Sequence, residues 1–222
     1  MVRVRVRQHV NPFSKKYQQP IPPPNWEQIY ENPNQLLHLD IGCAHGIFAL
    51  NMAKQEPKVN FLGIEIREIL VEKANLQRDE LGLTNLHYLF GNVNYDFAVL
   101  LDSLPPGVLQ QVTIQFPDPW FKKRHNKRRV VQPELVDTLS RYLVPGGLIF
   151  LQSDVEEVAL AMRKEFAACS SFKLQHESFW LARNPFPVAT EREEFTIGKG
   201  EPVYRVLLEK HNNLEGRNQE FE

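Results

Sequence analysis

Acids, glycines and amides recur directly after apolar runs in this chain, and their types suggest what they bind. The first group is Asp40-Ile41-Gly42-Cys43-Ala44-His45-Gly46. Glycine at 42 and 46 permits a tight turn and lets a ligand approach the main chain. A dinucleotide site would ask for G-x-G-x-x-G, whereas positions 44 and 47 are Ala and Ile. Asp40 instead suits a cationic ligand group. The second group closes Phe61-Leu62-Gly63-Ile64-Glu65. A carboxylate there can accept both hydroxyls of a ribose, each charge-assisted bond worth about 1.5–3 kcal/mol. Nicotinamide enzymes use the same device, so Glu65 alone does not choose the ligand. Gly91-Asn92 places an amide where it can read an adenine edge or simply close a turn.

The fourth group is the longest: Gln115-Phe116-Pro117-Asp118-Pro119-Trp120-Phe121, followed by six cations among the eight residues 122–129. An acid between two prolines is held stiffly. With an aromatic pair and a basic run beside it, the loop suits a flipped base whose phosphates are clamped nearby. Each part has a plainer reading: Asp118 as a turn cap, Trp120 as core, the cations as a solvated loop. Their concentration in one loop favours the chemical one. A second basic island, Arg3, Arg5, Arg7, Lys15 and Lys16, contains no acid, although the whole chain carries a net charge of −1. Two basic islands on an acidic body point to a polyanionic partner. Further on, Ser153-Asp154 and Thr190-x-x-Glu193 read by themselves first as helix caps, with substrate contact the alternative.

These residues need a scaffold that brings them together. Apolar runs suit buried strands at 36–41, 60–66, 86–90, 110–116 and 147–152, with helix-length segments near 46–55, 67–82, 93–102, 131–143 and 155–168. Such alternation predicts an α/β fold, a Rossmann-like doubly wound sheet with helices on both faces. Strand-like stretches at 172–179 and 203–209 bring it to seven strands, mostly parallel. No convincing long helix separates these two, so the last strand is expected to be antiparallel. In such sheets ligands bind beyond the carboxyl ends of the strands, where the acids fall. The expected organisation is a basic, Pro-rich N-terminal arm over 1–34, in which Pro20, Pro22, Pro23 and Pro24 prevent regular structure, a domain over 35–210, and a polar tail over 211–222.

Several classes are disfavoured. No run approaches 18 apolar residues, so no membrane contact is expected. The alternating Val and Arg at the N-terminus, which also suits an edge strand, is not a secretion signal, and a cytoplasmic location is expected. Cys43 and Cys169 are too few for a disulfide framework, and seven scattered histidines predict no metal site. The basic loop holds no cysteine nucleophile for cytosine C5 chemistry.

Taken together, Asp40, Gly42, Gly46, Glu65 and Asn92 resemble the class I S-adenosylmethionine-dependent methyltransferases. That class often has glycine where this chain has Ala44, a position alanine fits if its backbone stays at negative φ. The PDPW-x-KKRHNKRR segment is more specific and resembles the bacterial tRNA (guanine-N7)-methyltransferases, as do Arg5 to Pro12 and the Thr-x-x-Glu near the end. This resemblance implies that Asp40, Glu65, Asn92 and Asp118 contact S-adenosylmethionine and that Asp118 is also catalytic. It implies substrate binding by Lys122, Asp154, Thr190, Glu191, Arg192 and Glu193, most strongly by Glu193. The family often has an acid where this chain has Asn92. The basic run Arg124, His125, Asn126, Lys127, Arg128 and Arg129 is expected to contact RNA. The implied substrate is tRNA, methylated at guanine N7 in the variable loop, with no obligatory protein partner and a monomer or homodimer as the working unit. Two other readings stand beside it. One relates Asp118-Pro119-Trp120-Phe121 to the Asp-Pro-Pro-Tyr loop of amino-methylating enzymes, although the second proline is missing. The other is an RNA-binding protein that keeps the fold without turnover.

Overall fold

The structure, a computed structural model, describes residues 10–211; the Arg3/Arg5/Arg7 island and the tail beyond His211 lie outside them. Seven strands form one sheet: β1 Leu37–Ile41, β2 Asn60–Glu65, β3 Leu86–Phe90, β4 Leu109–Gln115, β5 Leu148–Ser153, β6 Phe172–Leu174 and β7 Tyr204–Lys210. Their order is β3-β2-β1-β4-β5-β7-β6, with β7 antiparallel to both neighbours and the first five strands mutually parallel. The expected class is therefore observed. Its helices are α1 Trp26–Ile29, α2 Ile47–Gln55, α3 Glu68–Glu80, α4 Ala98–Asp102, α5 Pro133–Tyr142, α6 Glu156–Ala167 and α7 Glu191–Gly198. Among the described residues no helix is long and apolar enough to cross a membrane.

Side chains alternate across the sheet with period two, and that alternation sorts the chemistry. Leu37, Leu39, Ile41, Val112, Ile114, Ile149, Leu151, Val206 and Leu208 join one core with α4, α5 and α6. The intervening positions, His38, Asp40, Thr113, Gln115, Gln152 and Arg205, are buried and polar. One face of the central sheet is thus apolar from end to end. The other becomes polar toward the carboxyl ends of the strands.

Four details depart from the sequence reading. Helix α4 starts at Ala98 rather than 93, because the Asn92 side chain accepts from Asn94 N–H (3.0 Å) and Asp96 turns left-handed at φ 44°. Of 172–179 only the first three residues pair with β7, and the chain then leaves the sheet. A helix stands between β6 and β7 after all, begun by Thr190, whose side chain accepts from Glu193 N–H (3.1 Å). Finally, the Pro-rich stretch is not devoid of regular structure: residues 15–17 make a 3-10 turn and α1 follows Asn25, which caps it by accepting from Glu27 N–H.

That stretch packs into the core through Tyr17, Ile21, Trp26 and Tyr30. Ile21 lies on Gly91, where a Cβ would come within 2.3 Å of its Cγ1. Ile21→Ala should therefore cost about 2–5 kcal/mol and Gly91→Ala about 1–3 kcal/mol in urea unfolding. The double variant should cost clearly less than the two together. Simple additivity would mean that the two positions do not touch in solution.

Candidate active site

The acids meet in a cleft of about 900 Å³ across the carboxyl ends of the parallel strands, lined by Asp40, Glu65, Asn92, Asp118, Asp154 and the start of α7. The loop after β1 forms its floor. Gly42, Ala44 and Gly46 all take left-handed φ, 77°, 51° and 75°. Ala44 is thus not at negative φ as expected. A non-glycine residue there costs about 1–2 kcal/mol. The compensation is a hydrogen bond from Ala44 N–H to Glu65 Oε2 at 3.0 Å, which the turned peptide makes possible. Gly42 has open space where a Cβ would stand. Gly46 lies behind the cleft, its carbonyl accepting from Tyr88 O–H at 2.6 Å, and any Cβ would strike that ring.

Asp40 is buried. Its Oδ1 accepts from the Thr113 hydroxyl at 2.6 Å and, weakly, from Gln115 Nε2 at 3.5 Å. Burial, with the Glu65 charge adding to it, raises its pKa from 3.8 to about 6 against these hydrogen bonds. Because Thr113 donates to Asp40, it accepts from His38, which makes His38 the Nε2–H tautomer at 3.2 Å. Burial lowers the His38 pKa from 6.5 to about 3.

Glu65 is also buried and has a partner the sequence reading missed. Arg67 gives it the main-chain N–H (3.0 Å), Nε (2.8 Å) and Nη2 (3.1 Å). With Ala44 these fill about all four acceptor directions of a carboxylate. Burial works against the Arg67 charge, but the Glu65 carboxylate and then Asp118 more than offset it and raise its pKa. Arg67 therefore stands electrostatically between the acid of β2 and the acid of the loop after β4. A ribose reaching Glu65 must exchange with part of this pair.

Asn92 lines the cleft but also ties down the N-terminal stretch, donating to Pro12 O and Tyr17 O at 3.3 Å each. Its side chain thus closes the turn and anchors the N-terminal stretch while facing the cleft. The Asp118 loop is strained at both ends, with Phe116 at φ 49° and Trp120 at φ 45°. Bulky residues in this region require a surrounding structure that enforces it. Phe116 N–H bonds Gln152 O (2.8 Å), and Arg129 Nε bonds Pro119 O (2.9 Å). Arg129 is buried and also reaches Glu157 (2.6 Å), so within the basic run it holds the loop and does not face solvent. The Arg128 guanidinium lies 5.1 Å from the Trp120 ring and His125 meets that ring edge-on at 5.7 Å. Residues 123–128 form a 3-10 helix on which Arg124, Asn126 and Lys127 are exposed, and Lys122, just before it, is exposed too.

The far wall comes from β5 and α7. Asp154, Thr190, Glu191 and Arg192 line the cleft, with Arg192 Nε on Asp154 at 2.8 Å. Ser153 Oγ accepts from Val155 N–H, so the turn before α6 uses Ser153 and leaves Asp154 to Arg192. Glu193 does not line the cleft. It lies beneath, accepting from Arg205 Nη2 (2.7 Å), Gln152 Nε2 (3.0 Å) and Asn184 Nδ2 (2.7 Å). Of the missed partners, Thr113, Gln115, Gln152 and Arg205 left one signal in the sequence, polar residues within otherwise apolar strands, whereas Arg67, at the start of α3, left none.

The Asp40 environment has a consequence for stability. Through pH 4–6 the folded state keeps a proton the unfolded chain has lost, so Asp40 makes stability fall as pH rises. His38 acts oppositely: its contribution is complete above pH 6.5 and fades as pH falls toward 3. Asp40→Asn keeps the acceptor for Thr113 and removes only the first effect. The variant should gain stability over the parent between pH 4 and 7, on the order of 2–3 kcal/mol in urea melts. A difference that ignores pH would show that Asp40 ionises as freely folded as unfolded.

Known proteins resemble this chain in sequence and in fold. A family model described as a putative methyltransferase matches residues 34–206. The tRNA (guanine-N(7)-)-methyltransferase of Microcystis aeruginosa is 60% identical over 94% of this chain and 99% of that protein. The protein of the same name from Nostoc sp. is 61% identical over 93% of this chain and 94% of its own. Solved structures share the fold alone. The 16S rRNA methyltransferase KamB has a TM-score of 0.56 at 15% identity, covering 83% of this chain and 92% of that one. The cyclase SpnF scores 0.55 at 12% identity over 83% of this chain and 77% of its own, so the fold does not dictate the reaction. The long, nearly complete match to the first group does: the chain belongs to the tRNA (guanine-N7-)-methyltransferase family.

Proposed function

We propose that this enzyme transfers a methyl group from S-adenosylmethionine to N7 of a guanine in tRNA, in the variable loop. One observation carries the reading: Asp40, Glu65 and Asp118 line one cleft whose lip is a basic 3-10 helix. Family membership supports the guanine and the tRNA, and the variable loop follows from the resemblance of the PDPW segment. The same family relationship makes the cytoplasm the expected place of action.

The residues present fit the donor. Asp40, buried and short of hydrogen bonds, suits one of its positive groups, and Glu65 suits the ribose hydroxyls once Arg67 yields. Asn92 can meet the adenine, and Gly42 leaves the main chain open to it. When bound, the donor supplies a sulfonium-borne methyl group that a nucleophile can take.

Guanine N7 has an exposed lone pair and no proton, so no general base is needed. The protein must align the base and stabilise the positive charge it acquires. Asp118, stiffened by two prolines and with Arg67 among its charged neighbours, supplies fixed negative charge and orientation. Trp120 and Phe121, both on the cleft, offer faces for a base outside its stack. Guanine presents N1–H and a 2-amino group side by side, which one carboxylate can accept. In this reading Asp154, on the cleft and paired with Arg192, takes that role, whereas Glu193 holds α7. Adenine, with an acceptor at N1, would face that carboxylate unpaired. Lys122, Arg124 and Lys127, all exposed, meet phosphates.

Asp118→Ala should lower turnover by about 10²-fold or more with little change in tRNA affinity, as expected for loss of one transition-state charge. Near-normal turnover removes Asp118 from the mechanism. With Arg124 and Lys127 both changed to Ala, the salt dependence of tRNA binding should flatten by about 0.7–0.9 per lost phosphate contact. An unchanged slope leaves the basic helix a solvated surface. Isotope-labelled S-adenosylmethionine with unmodified tRNA transcript should give labelled 7-methylguanosine; a labelled methyladenosine would overturn the choice of base.

A further inference from the structure

A row of buried polar side chains runs from the floor of the cleft, at Asp40 and Gln115, to beneath its far wall, and no step of the proposed mechanism uses its middle members. Gln115 on β4, Gln152 on β5 and Arg205 on β7 stand in direct register across the sheet. Arg205 Nε donates to Gln152 Oε1 at 3.2 Å, and Gln152 Nε2 donates to Gln115 Oε1 at 2.8 Å. Gln115 Nε2 then donates to Asp40 at 3.5 Å. The ends fix the sense of every link. A guanidinium has only donors and a carboxylate only acceptors, so each amide must turn its oxygen toward Arg205 and its nitrogen toward Asp40. Gln152 Nε2 is shared with Glu193 Oε2 at 3.0 Å, and Glu193 is also gripped by Arg205. Glu193 sits in the first turn of α7, whose neighbouring Thr190, Glu191 and Arg192 line the cleft.

We infer that Gln115 and Gln152 are positioning residues that couple the cofactor end of the cleft to its RNA end through this one-way chain of donors. The inference rests on the proposed function, with guanine beside α7 and, at Asp40, the donor's ammonium group, which S-adenosylhomocysteine retains. The Gln115–Asp40 link is the longest in the chain and so the one with room to tighten. A cation at Asp40 fixes the orientation of that carboxyl and, with it, the length of the hydrogen bond it accepts from Gln115. Hydrogen bonds in series polarise one another, more so where water is excluded. The pull on Gln115 is passed to Gln152, and thence to the acid that anchors α7. Cofactor and tRNA should therefore bind cooperatively, each raising the affinity of the other by the same factor.

The test measures tRNA affinity with and without saturating S-adenosylhomocysteine, and S-adenosylhomocysteine affinity with and without tRNA, on the full chain. For the parent the two ratios should agree and reach about five-fold or more. Gln152→Met and Gln115→Met keep side-chain length and remove the amide at different links. In both, each ligand should still bind alone while the ratio falls to about one. A purely structural role would weaken the ligands separately and leave the ratio intact. Should one variant not fold, judged by its thermal melt, the other decides. A parent ratio of one, or variants that retain the parent ratio, overturns the relay while leaving the functional proposal standing. A parent that binds neither ligand overturns the functional proposal and the relay with it.

Discussion

Two carboxyl groups buried side by side at the tips of β1 and β2 set the terms for the rest of the site. Asp40 and Glu65 are 4% and 3% exposed. Charge in such a place is costly unless hydrogen bonds and counter-charges surround it. The protein answers differently at each acid. Glu65 receives a full set of donors, including a bidentate guanidinium, whereas Asp40 receives one short bond from Thr113 and one long one. The under-served acid is the one that suits a cationic ligand. A polar requirement of this kind, built into the fold, biases the site toward what it binds.

Satisfying these acids also explains local conformations that otherwise look unfavourable. Ala44 is left-handed because that turns its N–H onto Glu65. Phe116 and Trp120 are left-handed because the Asp118 loop must double back within a few residues, tied by Gln152 O at one end and Arg129 at the other. Strain of this sort persists where neighbouring contacts over-determine the backbone. In this protein those contacts come from β2, β5 and a basic run that sequence alone assigns to RNA contact or to solvent. Of that run, Arg129 faces inward and holds the loop, while Arg124 and Lys127 face outward.

The fold makes this possible by giving the sheet two unlike faces. One is apolar under α4, α5 and α6; the other carries a polar row that ends at Glu193 and Arg205. Because β7 enters antiparallel between β5 and β6, it brings Arg205 into register with Gln152. The antiparallel strand is thus part of the site's electrostatics as well as of the sheet.

Much of this was legible in the amino-acid order. Hydrophobic periodicity located all seven strands, since burial between two helical layers demands apolar runs. The rule that ligands bind beyond strand ends then collected Asp40, Glu65, Asn92 and Asp118 into one cleft. Short local signals misled where long-range packing decided. Thr190-x-x-Glu193 is both a helix cap and a buried ion pair, and only the approach of β7 turned Glu193 away from the cleft. The Pro-rich stretch looked detached because proline breaks regular structure, yet Ile21 and Trp26 fill the core through contacts far away in sequence. Sequence determined which groups are available and which strand tips carry them, because those follow from local period and residue type. Tertiary structure decided which groups face the cleft and which hold others in place, because that depends on how strands distant in the chain come into register.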